Sequence, residues 1–239
     1  MQITSLLKAH AIECLGVDLI GVCRAADLDG LSPLYVGWTL RQHTVRLRDL
    51  LPDVRSVVVL GCHVWDDVHE LALRSAQKWL YPGYFPLEAQ AWALALWLER
   101  WGYRAYGVHP LISLKRAAQL AGLGAYGKQS LIVTPQYGPW VRWNTVLTEA
   151  PLEPDAPFES NLCGDCDACL RVCPVGALTP YVVDGDRCLV GCHLDSPSDE
   201  LRALLARYEP QVTAHTHLMC TECQKVCPLG ERGLAHKAR

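Results

Sequence analysis

The sequence predicts an α+β domain over residues 1–155 followed by a small cysteine-rich module over residues 156–239. Three observations carry that prediction. Helical and strand-like apolar periods alternate through roughly the first 150 residues, with strands close enough to pair as hairpins. The segment Pro151-Leu-Glu-Pro-Asp-Ala-Pro157 is rich in proline and acid and reads as a connector. Three of the twelve cysteines lie before it and nine after it.

Residues 3–15 have the spacing of an amphipathic helix, with Thr4 or Ser5 near its start. Residues 17–23 and 56–61 read as strands, the second a run of valines. Residues 86–101 predict a helix, with Pro86 in its first turn, Glu88 at its positive end and Gly102 closing it. Its Ala, Leu and Trp residues wrap most of the circumference, which predicts a buried helix. Residues 113–121 predict a second helix, closed by Gly122. Residues 131–134 and 140–147 read as strands of one hairpin joined through Pro135-Gln-Tyr-Gly-Pro139.

The bulk numbers restrict function. The chain has 239 residues, is 50% hydrophobic and carries a formal net charge of −3, so it has no general attraction to nucleic acid or anionic membrane. The longest apolar run, residues 89–98, is too short to cross a bilayer. No secretory leader is read at the start, and a cytoplasmic protein is the simplest expectation.

The cysteine order carries the chemistry. Cys163-x2-Cys166-x2-Cys169-x3-Cys173-Pro174 is followed by Cys220-x2-Cys223-x3-Cys227-Pro228, with Cys188 between. Three close cysteines wrap one iron–sulfur cubane, and the cysteine before proline reaches across to the other. The pattern predicts two 4Fe–4S clusters, one held by Cys163, Cys166, Cys169 and Cys227, the other by Cys220, Cys223, Cys188 and Cys173. Structural zinc also uses paired CxxC, but it needs neither the third cysteine of the run nor the CP steps. Cys192 competes with Cys188 for the second set. Cys14, Cys23 and Cys62 lie in apolar surroundings and read as buried structural thiols.

Ala121-Gly-Leu-Gly-Ala-Tyr-Gly-Lys-Gln-Ser-Leu-Ile-Val-Thr-Pro-Gln-Tyr-Gly138 resembles a signature of epoxyqueuosine reductases and their relatives, a group similar in architecture to reductive dehalogenases. Pro151-Leu-Glu-Pro-Asp155, Ala177-Leu178, Asp186-Arg187-Cys188 and the Cys220 to Pro228 run match as well, so the resemblance spans about Tyr103 to Pro228. It implies a nitroreductase-like α/β sandwich that holds cobalamin and a ferredoxin-like module that feeds it electrons from a ferredoxin or flavodoxin. It selects Cys188 over Cys192. It places Gly122, Gly124, Gly127, Lys128, Ser130 and Leu131 along the corrinoid and its tail, with Lys128 on the tail phosphate. The reading from the residues alone is a glycine cap and a surface turn.

Two departures from the family pattern change the expectation. The slot of the family's proton-donating aspartate falls on Val108, and residues 103–110 contain no acid. His109 is the nearest replacement and Tyr106 the next, since an imidazole can donate or accept near neutrality. Eleven residues follow Pro228, where longer relatives continue into a repeat region thought to hold tRNA, and residues 31–52 look shorter than their counterpart. A small-molecule substrate is therefore expected and a tRNA is not. The expected activity is corrinoid-dependent reduction of the deoxygenation or dehalogenation type. The alternatives are an electron-transfer protein serving a partner's corrinoid, or an offshoot holding another cofactor such as flavin. Trp140 and Trp143 read as core or as walls of a planar cofactor, and Arg142 as facing an anionic tail or solvent. His215 and His217 read as surface loop residues.

Overall fold

The computed structural model describes residues 2–29, 45–75, 78–108, 112–191 and 198–230. In chain order the helices are α1 (Ile3–Glu13), α2 (Ala25–Asp29), α3 (Leu47–Leu50), α4 (Phe85–Arg100), α5 (Leu114–Leu120), α6 (Ala168–Val172), α7 (Asp199–Tyr208) and α8 (Glu222–Lys225). The strands are β1 (Leu19–Arg24), β2 (Ser56–His63), β3 (Leu71–Arg74), β4 (Trp79–Leu80), β5 (Ala105–Val108), β6 (Ala125–Tyr126), β7 (Ile132–Val133), β8 (Val141–Thr148), β9 (Leu178–Thr179), β10 (Val182–Val183), β11 (Gln211–Thr213) and β12 (Thr216–Leu218). Single 3₁₀ turns cover Asp67–Glu70 and Pro82–Tyr84.

The centre is a four-stranded antiparallel sheet in the order β1-β2-β8-β5. Alternate residues of a strand face opposite sides, and both sides of β2 are covered. Val57 and Val59 pack with Leu147, Trp143 and the alanines of α5. Val58 and Leu60 pack with Val22, Val146, Leu7 of α1 and Leu94 of α4. That two-sided burial explains why β2 reads as an unbroken apolar run. The result is a helix–sheet–helix sandwich, in agreement with the mixed α and β class expected.

A second sheet, β11-β12-β3-β4, joins strands from both sides of the proline-rich connector. Its β12–β3 pairing is extended by Met219 N–H donating to the Glu70 carbonyl at 2.8 Å. The connector itself lies against β1. The Asp155 carboxylate accepts from Val22 N–H at 2.7 Å and from Lys8 Nζ at 2.5 Å, and Asp155 N–H donates to the Val22 carbonyl at 2.9 Å.

Four expectations are corrected. The segments 131–134 and 140–147 do not form one hairpin: β7 pairs with β6, β8 pairs with β2 and β5, and only the Thr134–Gly138 bridge spans the turn. β8 is drawn into the sheet because Val141, Trp143 and Leu147 join the core on one side and Val146 joins it on the other. Helix α4 buries one face through Leu87, Ala91, Leu94, Ala95 and Leu98, while Trp92 and Leu96 stay more than half exposed. Cys14 is exposed rather than buried, because it follows the end of α1. His217 is a residue of β12 and not of a loop, whereas His215 is exposed between the two strands. Cys23 is buried as expected. Burial, with Asp27 and Asp155 nearby, pushes its thiol up to about 12.

Candidate functional site

A cavity of about 570 Å³ opens where the central sandwich meets the cysteine segment. One wall comes from residues 70–88, including Glu70, Trp79 and Tyr84. A second comes from Lys115, Gln129, Leu131 and Arg142. The third contains Cys173, Cys188, Cys220 and Cys223. Helix α5, the β6–β7 turn and β8 thus present polar side chains to a wall of cysteines.

Neighbouring cysteines raise one another's thiol pKa values. Burial raises the Cys223 thiol, and Cys220, Cys188, Cys169 and Cys173 raise it further. Burial likewise raises Cys169, with Cys163, Cys227 and Cys166 adding to it. Each set is a group of thiols whose thiolates would repel one another in a poorly hydrated place, and cationic iron is what relieves that repulsion. Cys169 and Cys223 feel each other, so the sets are neighbours. Cys166 is exposed and Cys169 buried, while Cys173, Cys188, Cys220 and Cys223 line the cavity. Backbone N–H groups support the sulfurs: Lys128 donates to Cys163 Sγ at 3.4 Å and Ala177 to Cys173 Sγ at 3.3 Å. Among the described residues, no group of three or more His, Cys, Asp or Glu side chains could hold a single metal ion. Cys192 lies outside the described residues.

The other predicted site residues are spread more widely than this cavity. Of Gly122, Gly124, Gly127, Lys128, Ser130 and Leu131, only Leu131 lines the cavity. Gly122 has φ +75° and ends α5, and a Cβ there would sit 2.6 Å from the Ala156 carbonyl oxygen. At Gly124 and Gly127 the space for a Cβ is taken by Val133 and Gln129. Their small size serves the chain's own packing. The Ser130 carbonyl accepts from Lys115 Nζ at 2.5 Å, and its hydroxyl bonds the Tyr126 hydroxyl. Lys128 does not line the cavity, and its backbone N–H is the donor to Cys163. Tyr106 is exposed on edge strand β5, packed edge-on against Trp92 of α4, and does not line the cavity. His109 lies outside the described residues. Trp140 and Trp143 are both buried, Trp143 within the sheet core.

Arg142, expected to face an anionic tail or solvent, and Glu70 and Lys115, which no local sequence pattern marks, are charged groups of this cavity. Arg142 and Glu70 form an ion pair with side chains 13% and 2% exposed. The Arg142 guanidinium also lies 5.7 Å from the centre of the Tyr84 ring. Burial works against the Arg142 charge, but Glu70 and Tyr84 more than offset it and hold its pKa above the usual arginine value. Burial pulls the Lys115 ammonium down to about 7, while Cys188 and Cys223 oppose that fall and Arg142 adds to it.

Residues 162–230 match the family described as a 4Fe-4S double cluster binding domain. The epoxyqueuosine reductase of Gloeobacter violaceus is 32% identical over 257 residues, covering 95% of this chain and 76% of the relative. That of Synechocystis is 30% identical, covering 82% and 70%. The chain belongs to the epoxyqueuosine reductase family. It is thereby an oxidoreductase with an iron–sulfur domain. A solved epoxyqueuosine reductase superposes with a TM-score of 0.70 at 25% identity, covering 94% of this chain and 66% of its own. Another, solved with an epoxyqueuosine-modified tRNA stem loop, gives 0.68 at 24%. A reductive dehalogenase described with a mechanism for B12-dependent dehalogenation gives 0.63 at 20% identity and shares the fold, with this chain spanning 32% of it. No helix among the described residues is long and apolar enough to cross a membrane.

Proposed function

We propose that this member of the epoxyqueuosine reductase family is a corrinoid-dependent reductase acting on a small molecule. The observation that carries the reading is that Cys173, Cys188, Cys220 and Cys223 line the cavity while Cys166 of the other set is exposed. In this reading Cys163, Cys166, Cys169 and Cys227 hold a surface 4Fe–4S cluster that takes electrons from a ferredoxin- or flavodoxin-type donor. The second set holds the cluster that delivers them to the cavity. Residues 1–155 act as a nitroreductase-like holder and residues 156–239 as the electron-feeding module.

The cavity walls suit a corrinoid, a flat apolar ring with an amide rim. Trp79, Leu80, Leu131 and Leu178 supply apolar surface, and Gln129, Gln224 and Arg142 supply amide-compatible polar groups. When bound, the corrinoid supplies a strongly reducing metal for cleaving a carbon–oxygen or carbon–halogen bond. The chain's own residues orient ligands, exclude water and deliver protons. Deoxygenation of an epoxide to an alkene consumes two electrons and two protons and releases water. His109 remains the proton donor of this reading, following β5 in the slot beside the missing aspartate. Tyr106 drops out because it faces outward against Trp92.

A second reading, a tRNA-borne substrate, is favoured by the relative solved with a tRNA stem loop. The net charge of −3 favours the small molecule, since phosphate backbones are bound mainly through positive charge. Anaerobically purified protein titrated with cobalamin should bind one equivalent and show a corrinoid spectrum that changes on reduction. Clusters that still cycle with no corrinoid bound would make the chain an electron carrier. A different copurifying chromophore would make it an offshoot. Turnover of an epoxyqueuosine stem loop but not of the free nucleoside would reverse the substrate choice.

A further inference from the structure

Lys115 of α5 is half-buried and lines the same cavity as Cys173, Cys188, Cys220 and Cys223. Its Nζ donates to the Ser130 carbonyl at 2.5 Å. A constrained turn aims that carbonyl. Ser130 is fully buried and has φ +65°, in the left-handed region that serine seldom occupies. Its N–H donates to the Gly127 carbonyl at 2.8 Å, and Gly127 N–H donates to the Leu131 carbonyl at 2.8 Å. Its hydroxyl lies 3.1 Å from the Tyr126 hydroxyl. Such a backbone persists only where its surroundings fix it, and what it fixes here is an ammonium group beside a wall of cysteines.

The neighbouring sulfurs give that ammonium a task. A 4Fe–4S cluster with four thiolate ligands is an anion, and an added electron makes it more negative. A fixed cation nearby therefore stabilises the reduced state over the oxidised one, most of all where water is scarce. Cys188 and Cys223 favour the charged form of Lys115, while burial and Arg142 disfavour it. The attraction is mutual, so the ammonium acts on those two ligands in turn. Glu209, which accepts from Cys220 N–H at 3.0 Å, and Glu222 act on Cys220 in the opposite sense. Arg142 is already paired with Glu70. In the other set, the charged groups that shift Cys169 and Cys227 are cysteines of that set.

We propose that Lys115, held by the Ser130 carbonyl, raises the reduction potential of the cluster bound by Cys173, Cys188, Cys220 and Cys223, and so draws electrons toward the cavity. This role rests on the two-cluster reading above and not on the corrinoid or the substrate. Lys115 makes and breaks no covalent bond in it. An electron gained by the cavity cluster is one lost by the other cluster.

The test is an anaerobic redox titration of the iron-loaded full chain without corrinoid, read by electron paramagnetic resonance at a single pH. Iron and sulfide analysis first establishes whether both clusters are present. Cys223→Ala should remove one signal and thereby identify the cavity cluster. Lys115→Gln keeps a donor for the Ser130 carbonyl but discards the charge, Lys115→Met discards both, and Lys115→Arg keeps both. Lys115→Gln and Lys115→Met should each make reduction of the cavity cluster about tenfold less favourable, a fall of about 59 mV for one electron. Lys115→Arg should keep the wild-type value, and the other cluster should stay in place in all three variants. A fall in Lys115→Met that Lys115→Gln does not share would make the residue a structural prop and overturn the proposal. Unchanged potentials in both, or an equal shift of the two clusters, would overturn it as well. A wild-type chain that assembles no pair of 4Fe–4S clusters would sink the two-cluster reading itself, and this role with it.

Discussion

The central sheet and the cysteine segment are held together by different physics. In β2, Val57, Val58, Val59 and Leu60 are fully buried, and helices cover both faces of the sheet. Between residues 162 and 230 the helices α6 and α8 have five and four residues, too short to persist alone, and α7 buries none of its residues. Its buried apolar residues are scattered: Ala177, Val183, Leu189, Met219. The first region has a hydrophobic core of its own. The second is arranged around sulfur, so its order is expected to come from what the sulfurs bind.

The largest effect should come from removing iron. Chelation of the clusters, or the pair Cys223→Ala and Cys227→Ala, should lower amide protection across residues 162–230 by roughly a hundredfold or more while β2 and β8 stay protected. Hydrogen exchange resolved by mass spectrometry reads this directly. Equal loss in the two regions would mean that they share one core and that the contrast is false. The next effect runs the other way. Leu94→Ala, in α4 at 0% exposure, should cost about 2–5 kcal/mol, as truncation of a packed leucine does. Leu201→Ala, on α7, should stay within about 1 kcal/mol. Chemical denaturation of the iron-loaded protein measures both, and comparable losses would refute the distinction.

The same contrast explains what could be read from the chain. The cysteine segment was legible in its iron–sulfur chemistry, because ligand order is written locally in spacing. The sheet was legible in its elements but not in its pairing. Nothing local in residues 131–147 states that β8 will be drawn between β2 and β5 while β7 turns back on β6. The apolar run of α4 predicted full burial, but only one face meets the sheet, and Trp92 and Leu96 are left outside. The Glu70–Arg142 pair was invisible for a related reason. Its members are 72 residues apart, and the sheets that bring them together are set by long-range packing. The glycines at 122, 124 and 127 carry two meanings, because a glycine that admits a ligand and one that admits the chain's own atoms look alike in sequence.

What ties the two regions together gives the smallest and sharpest test. The connector is held to β1 by the Asp155 carboxylate, which serves the Val22 N–H at 2.7 Å and the Lys8 ammonium at 2.5 Å. The two bonds are unequal in energy although similar in length. Lys8 and Asp155 have side chains 29% and 33% exposed, so solvent screens the ion pair and Lys8→Met should cost no more than about 1 kcal/mol. Val22 is fully buried, and Asp155→Ala strands its N–H without an acceptor, which should cost about 1–3 kcal/mol. Asp155→Asn keeps an acceptor oxygen for Val22 while discarding the charge, and should resemble Lys8→Met. Stability measured for the three variants at high and low salt separates the contributions. If Lys8→Met proved as damaging as Asp155→Ala, or if salt erased the Asp155→Ala loss, charge rather than a buried backbone donor would be what fastens the cysteine segment to the sheet.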